Sequence, residues 1–183
     1  MLVRIVPVGN IPQKLLETVA AEIHERVGIK AKLMPAQAMP HESFDHWRKQ
    51  YNAEKIIEIF SKSASARFID KSILTLFIVD NDIYYNGLNW IFGLEDIEYN
   101  ACIISLTRLR NEFYNHKPNL FLLIERAVKE AIHEMGHYLG LEHCHHPFCV
   151  MVFSKSIADV DRKQKDFCRD CKIKLAIRGH NID

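Results

Sequence analysis

Hydrophobic positions along the chain follow two different periods, and the changes from one to the other mark out its elements. Leu2 to Val8 is a short apolar run broken by Arg4 and closed by Gly9, which predicts a strand. From Pro12 to Val27 the residues Leu15, Leu16, Val19, Ala20, Ile23 and Val27 fall at helical spacing, with Gly28 as the stop. Lys30 to Met34 predicts a second strand, and the polar and aromatic stretch from Pro40 to Asn52 a long loop or a short helix. Ala53 to Ser61 reads as helix. Ile73 to Val79 is almost continuously apolar, as a strand covered on both faces should be, and Asp80, Asn81 and Asp82 end it. Trp90 to Gly93 and Cys102 to Leu106 are two further strand candidates. Then the period changes: Phe121, Ile124, Val128, Ala131, Ile132, Met135 and Leu139 recur mostly every three or four residues, so Asn119 to Leu139 is one helix of ~30 Å, ended by Gly140. A last helix is expected from Asp161 to about Ile177. Strands and helices mixed first and helices afterwards predict an α/β (α+β) architecture, a mixed sheet backed by helices in one compact domain over 1–183.

Composition narrows the function classes. A net charge of +1 over 183 residues gives no global electrostatic reason to expect nucleic acid or an anionic membrane as partner. No window approaches the ~20 apolar residues of a membrane span. The N-terminal apolar run is too short for the core of a signal peptide, so the expected location is the cytoplasm, where clustered thiols are more often metal ligands than disulfides.

The chemistry lies between residues 133 and 149, "HEMGHYLGLEHCHHPFC". His133 and His137 are four apart on the long helix, so both imidazoles leave one face at a spacing that grips a single tetrahedral zinc. Glu134, one residue round the helix, falls beside the metal's remaining position rather than among its ligands. Gly140 can take the left-handed conformation that turns the chain back. His143 then arrives from the far side as a third ligand. A reading of these as ordinary surface or core histidines needs three coincidences within one HExxHxxGxxH pattern. Three protein ligands leave a fourth position for water, which zinc brings to a pKa of ~7, with Glu134 as general base for hydrolysis of a carbonyl compound.

Four thiols make a second set. Cys144 and Cys149 (C-x4-C) with Cys168 and Cys171 (C-x2-C) have the spacing of a closed four-thiolate zinc site, disulfides being the alternative. Cys102 lies in an apolar strand and reads as a buried small hydrophobe. His145 and His146 are exposed loop residues or additional ligands. No role follows for His24, His41, His46, His116 or His180.

The extended histidine motif resembles that of the metzincin zinc peptidases, where a methionine turn follows it. By that resemblance Met151 is the turn, its thioether an apolar floor beneath the imidazoles. The cysteine pattern narrows the likeness: residues 133 to 171 resemble the archaemetzincins, and "GLNWIFGLED" and "ISLTRLR" upstream are similar to segments of that family. The resemblance implies a metzincin-like domain with a twisted mixed sheet, a long active-site helix and a C-terminal helix. It further implies a zinc-dependent metallopeptidase acting on peptide bonds, with two Zn2+ per chain, one catalytic and one structural. An extended peptide would add to a sheet edge, for which Trp90, Ile91, Phe92 and Gly93 are the candidates, a paired interior strand being the other reading. Some metzincins carry a tyrosine just after the methionine turn. Val152 and Phe153 stand there instead, so no second oxyanion donor is identified. Because His143 and Cys144 are neighbours, a structural zinc would hold the loop that delivers the third catalytic ligand. The competing function is a zinc-stabilised, non-catalytic binding module using the basic C-terminal residues Arg162, Lys163, Lys165, Arg169, Lys172, Lys174 and Arg178, although interspersed Asp159, Asp161, Asp166 and Asp170 suit a solvated face. The expected partner is a peptide or protein substrate, with neither nucleic acid nor membrane, and the expected unit a monomer.

Overall fold

The computed structural model describes residues 1–63, 72–180 and 182. Its elements run β1 (Leu2–Val8), α1 (Gln13–Val27), β2 (Lys30–Leu33), β3 (Phe44–Asp45), β4 (Gln50–Asn52), α2 (Ala53–Ser63), β5 (Ile73–Val79), β6 (Ile83–Tyr84), β7 (Gly93–Asp96), β8 (Ala101–Ser105), α3 (Leu120–Tyr138), α4 (Ile157–Arg162) and α5 (Arg169–Ile177), with short 3-10 turns between some of them.

Five strands form one sheet in the order β2-β1-β5-β8-β7, parallel throughout except for β7, which runs antiparallel to β8 at the outer edge. The two-residue period of a strand sorts its side chains to the two faces. Val3, Ile5, Leu74, Leu76, Ile78, Cys102 and Ile104 pack with α1 and α3 on one side. Phe77, Val79, Ala101 and Ile103 meet Ala53, Ile56 and Ile57 of α2 on the other. Coverage on both faces is why β5 and β8 carry near-continuous apolar runs.

The long helix α3 starts where Asn119 accepts a hydrogen bond from the Leu122 N–H at 3.0 Å, satisfying one of the orphan donors of the first turn. It is buried well beyond its apolar stripe, because Arg126, Lys129, Glu130, His133 and Glu134 are also enclosed. Four of these polar groups have backbone or ionic partners in the chain that follows α3. Arg126 bonds both oxygens of Asp161 at 2.7 and 2.8 Å, and Lys129 bonds the carbonyls of Val160 and Asp161 at 3.0 and 3.1 Å.

Three expected elements differ. The stretch from Pro40 to Asn52 holds a 3-10 turn and the strands β3 and β4, which with β6 make a small second sheet. Its bend is an Asx turn, Asp45 Oδ1 accepting from the N–H groups of Trp47 and Arg48 at 2.9 and 3.0 Å. The edge strand begins at Gly93, where the Trp90–Gly93 candidate ends. The C-terminal helix is two helices, α4 and α5, because the segment between them gives its backbone to another loop: Gln164 donates to Phe148 O at 2.9 Å and Asp166 O accepts from Val150 N–H at 2.9 Å. A continuous helix would leave those loop groups unpaired.

Candidate active site

His133 and His137 emerge from the last two turns of α3, which stops when Gly140 adopts φ +90°. Gly140 N–H bonds His137 O at 2.8 Å and Leu141 N–H bonds Gly136 O at 2.9 Å, the paired bonds that close a helix C-terminus. The reversed chain carries His143 back over the helix. His137 Nε2 then lies 3.1 Å from His133 Nε2 and 3.2 Å from His143 Nε2.

These contacts cannot all be hydrogen bonds. His133 Nδ1 donates to Val150 O and His137 Nδ1 to Leu141 O, both at 2.8 Å, which leaves a bare lone pair on each Nε2. Converging lone pairs repel unless a cation lies among them. A tetrahedral zinc with Zn–N of 2.0–2.1 Å has an N···N edge of about 3.3 Å, close to the spacing here. Burial, and next Lys163, hold the His133 imidazole well below its ordinary pKa; burial also lowers His143. Neutral rings are the form that ligates.

Glu134 is buried behind this triad and lines the same cleft, of about 390 Å3, which runs between the β7 edge and α3. Gly93 makes room for it: a Cβ at Gly93 would stand 2.5 to 2.8 Å from Glu134 Oε1, Cγ and Cδ. Gly93→Ala is therefore expected to displace the carboxylate and lower kcat about 100-fold, with zinc content unchanged, as read by steady-state kinetics beside metal analysis. Trp90, Ile91 and Phe92 line the cleft with Gly93, and Leu88 and Phe153 add further apolar wall. The Phe153 ring stands 4.8 Å from that of His143.

Met151 is fully buried at the turn that Val152 N–H closes onto Cys149 O at 3.1 Å. Its thioether presses on Gly136 in the turn of α3 between the two histidines, where a side chain would collide with Met151 and with Phe167. A glycine inside a helix costs about 1 kcal/mol relative to alanine, and this close approach explains why one is tolerated.

The four cysteines also converge. The sulfurs of Cys144 and Cys168 are 3.7 Å apart, as are those of Cys149 and Cys171, and all four lie within 4.8 Å of one another. A disulfide needs ~2.05 Å, so these are thiols, and the disulfide alternative falls. A tetrahedral zinc with Zn–S of 2.3 Å has an S···S edge of about 3.8 Å. Backbone N–H groups of His146 and Cys168 point at the sulfurs of Cys144 and Cys149, at 3.4 and 3.3 Å, as expected where sulfur carries negative charge. Burial pushes the Cys149 thiol up to about 11 and raises Cys171 further.

The two sets are mechanically joined: Cys144, next to His143, donates its N–H to Met151 O at 2.9 Å. His145 and His146 are exposed and join neither of the metal-ligand clusters found among the described residues. Cys102 is fully buried. Of the basic C-terminal residues, Arg162 pairs with Asp159 at 3.5 Å, Lys163 with Glu130 at 2.9 Å, and Lys165 with Glu22 and Glu125 at 2.8 and 3.1 Å. That pairing takes Lys163 and Lys165 out of a cationic face, while Arg162, Arg169, Lys174 and Arg178 stay exposed. Among the described residues no helix is long and apolar enough to cross a membrane.

The sequence gives no role to Glu130 or Glu95 and sets Lys163 on a basic surface, whereas Lys163 is buried. Glu130 was within reach of spacing, one turn before Glu134 on the same helix face. No local signal marks Lys163.

The model of peptidase family M54 matches residues 10–177. An archaemetzincin of Pyrococcus furiosus is 38% identical over 183 aligned residues, covering 97% of this chain and 93% of that protein. A solved zinc-dependent peptidase from Methanocorpusculum labreanum superposes with a TM-score of 0.83 at 27% identity, covering 94% of this chain and 99% of that one. The archaemetzincin of Archaeoglobus fulgidus, solved with malonate, gives 0.79 at 33% identity, covering 95% and 99%. The chain belongs to peptidase family M54, the archaemetzincins, and is a zinc metallopeptidase.

Proposed function

We propose that His133, His137 and His143 hold a catalytic zinc, that Glu134 is the general base for peptide-bond hydrolysis, and that Cys144, Cys149, Cys168 and Cys171 hold a second, structural zinc. The observation that carries this is the meeting of three Nε2 atoms, two with their Nδ1 protons tied to carbonyls, at the floor of a cleft that also holds Glu134.

A zinc held by His133, His137 and His143 would supply Lewis acidity and lower the pKa of a bound water to ~7. The other tasks fall to the chain's own groups. Glu134 takes the proton of the attacking water and passes it to the leaving amine. Burial raises its carboxyl well above the usual range, Glu130 and Glu95 add to this and Lys163 opposes it, a direction that makes the carboxylate a better proton acceptor. Val150 O and Leu141 O keep two imidazoles in the ligating tautomer. Met151 gives the site an apolar, incompressible floor.

An extended peptide adds to β7, whose only paired neighbour among the described residues is β8, so that its other edge offers backbone groups beside the cleft. Trp90, Ile91 and Phe92 form the approach to that edge and Gly93 its first residue. Residues of one chain complete both metal sites, which supports a monomer as the working unit.

Removing the imidazole-site ion with a chelator is expected to stop hydrolysis of a diverse peptide library, and stoichiometric zinc to restore it, with metal content followed in parallel. Hydrolysis that survives complete metal removal rules this mechanism out.

A further inference from the structure

Glu130 and Lys163 form a fully enclosed ion pair behind the imidazole site. The Lys163 side chain is 0% exposed and that of Glu130 3%, with Nζ 2.9 Å from Glu130 Oε1. Nζ is also 3.5 Å from His133 Nδ1. Since that nitrogen already donates its proton to Val150 O, it offers Lys163 no lone pair, and the ammonium meets the ring as a charge. Glu130 precedes His133 by three residues and Glu134 by four, which sets all three along one side of α3. Lys163 begins the segment after α4 that runs beneath the methionine turn and is bonded to it through Gln164 and Asp166.

Fold stability does not account for this pair. Two charges withdrawn from water lose more than their attraction returns unless their remaining hydrogen-bonding capacity is met, and apolar residues of equal volume are often as stable or more so. Here Glu130 Oε1 takes no aligned hydrogen bond, so the contact rests on charge. Position accounts for it better. An ammonium against one nitrogen of a ligating imidazole repels a dication on the other, and a carboxylate 2.9 Å from that ammonium cancels the repulsion.

Resting on the zinc site proposed above, we propose that Lys163 and Glu130 are positioning residues for that site: Lys163 anchors the segment under the methionine turn to α3 behind His133, and Glu130 neutralises it so that the imidazoles keep their affinity for a dication.

The test is zinc affinity at the imidazole site, measured by competition with a chromophoric chelator while metal analysis confirms that the thiolate site stays filled. The proteins are wild type, Glu130→Gln, Lys163→Met and the double variant Lys163→Met/Glu130→Leu. Glu130→Gln leaves the ammonium uncancelled and is expected to weaken zinc about 10- to 100-fold. Lys163→Met leaves a net negative charge and is expected to bind zinc about 10-fold more tightly than wild type, which has no net charge at the pair. A purely packing role would weaken both. If Glu130→Gln does not fold, the double variant carries the same comparison and must bind zinc about 10-fold more weakly than Lys163→Met. Parallel losses in the two single variants, or affinity within about twofold of wild type for Glu130→Gln, overturn the proposal. A wild-type protein that takes no zinc at its imidazoles while the thiolates are filled instead overturns the catalytic site itself.

Discussion

Glu134→Gln is expected to keep its fold and both metals and to lose between about 100-fold and 10,000-fold in kcat. The amide has nearly the volume of the carboxylate, so it can occupy the space that the absent side chain of Gly93 leaves open. What it lacks is a site for the proton of the attacking water. As a base acting on the water, the residue should move KM much less than kcat, the pattern of an interaction made only in the transition state. Steady-state kinetics on any library peptide that the wild type cleaves, with zinc determined on both proteins, reads the result. A loss of less than about tenfold with zinc retained would remove Glu134 from the role of base.

Cys168→Ser is expected to have the larger effect on the fold. A hydroxyl does not ionise as a thiol does and is a poor zinc ligand, so the variant loses a corner of the thiolate tetrahedron. Structural zinc sites in small domains contribute on the order of 10–16 kcal/mol of apparent binding energy, as much as the 5–15 kcal/mol by which most domains are stable at all. Even partial loss should lower the melting temperature markedly, by calorimetry at saturating zinc. The effect should not stop at the thiolates. Cys144 is covalently next to His143 and bonded through its N–H to the Met151 carbonyl, so loosening the cysteine loop releases the third imidazole and the methionine floor together. Zinc affinity at the histidines is expected to fall in Cys168→Ser, and in Cys144→Ser as well. Unchanged affinity there would refute the coupling, even if stability falls.

The parts of this molecule that could be read from the sequence are those whose causes are local. Residues 119 to 139 declare α3 through apolar spacing and a terminating glycine, and the structure agrees to within a residue at each end. The histidine set was legible for the same reason: His133 and His137 share a helical face, and one glycine turn brings back His143. The cysteines are split between the loop after α3 and the start of α5, yet each half has recognisable ligand spacing, and the structure brings all four sulfurs together.

Where tertiary contacts decide, the pattern failed. β3, β4 and β6 are two or three residues long and show no period, and they exist because they pair with one another. The break between α4 and α5 answers to hydrogen bonds with Phe148 and Val150, invisible in helical spacing. Gly93 was singled out for a substrate edge, whereas its contact with Glu134, known only in three dimensions, gives it a more specific task. Lys163 carries no local mark, being defined by Glu130 and His133 on another helix.

The most direct test of the whole account is a zinc-edge anomalous diffraction experiment on crystals of the metal-loaded protein. Two anomalous peaks are expected. One should lie ~2.0–2.1 Å from Nε2 of His133, His137 and His143, with a solvent molecule as its fourth ligand within hydrogen-bonding reach of Glu134, and the other ~2.3 Å from the four sulfurs. A His143 ring turned away from the ion, or a protein side chain filling the fourth position, would contradict the account.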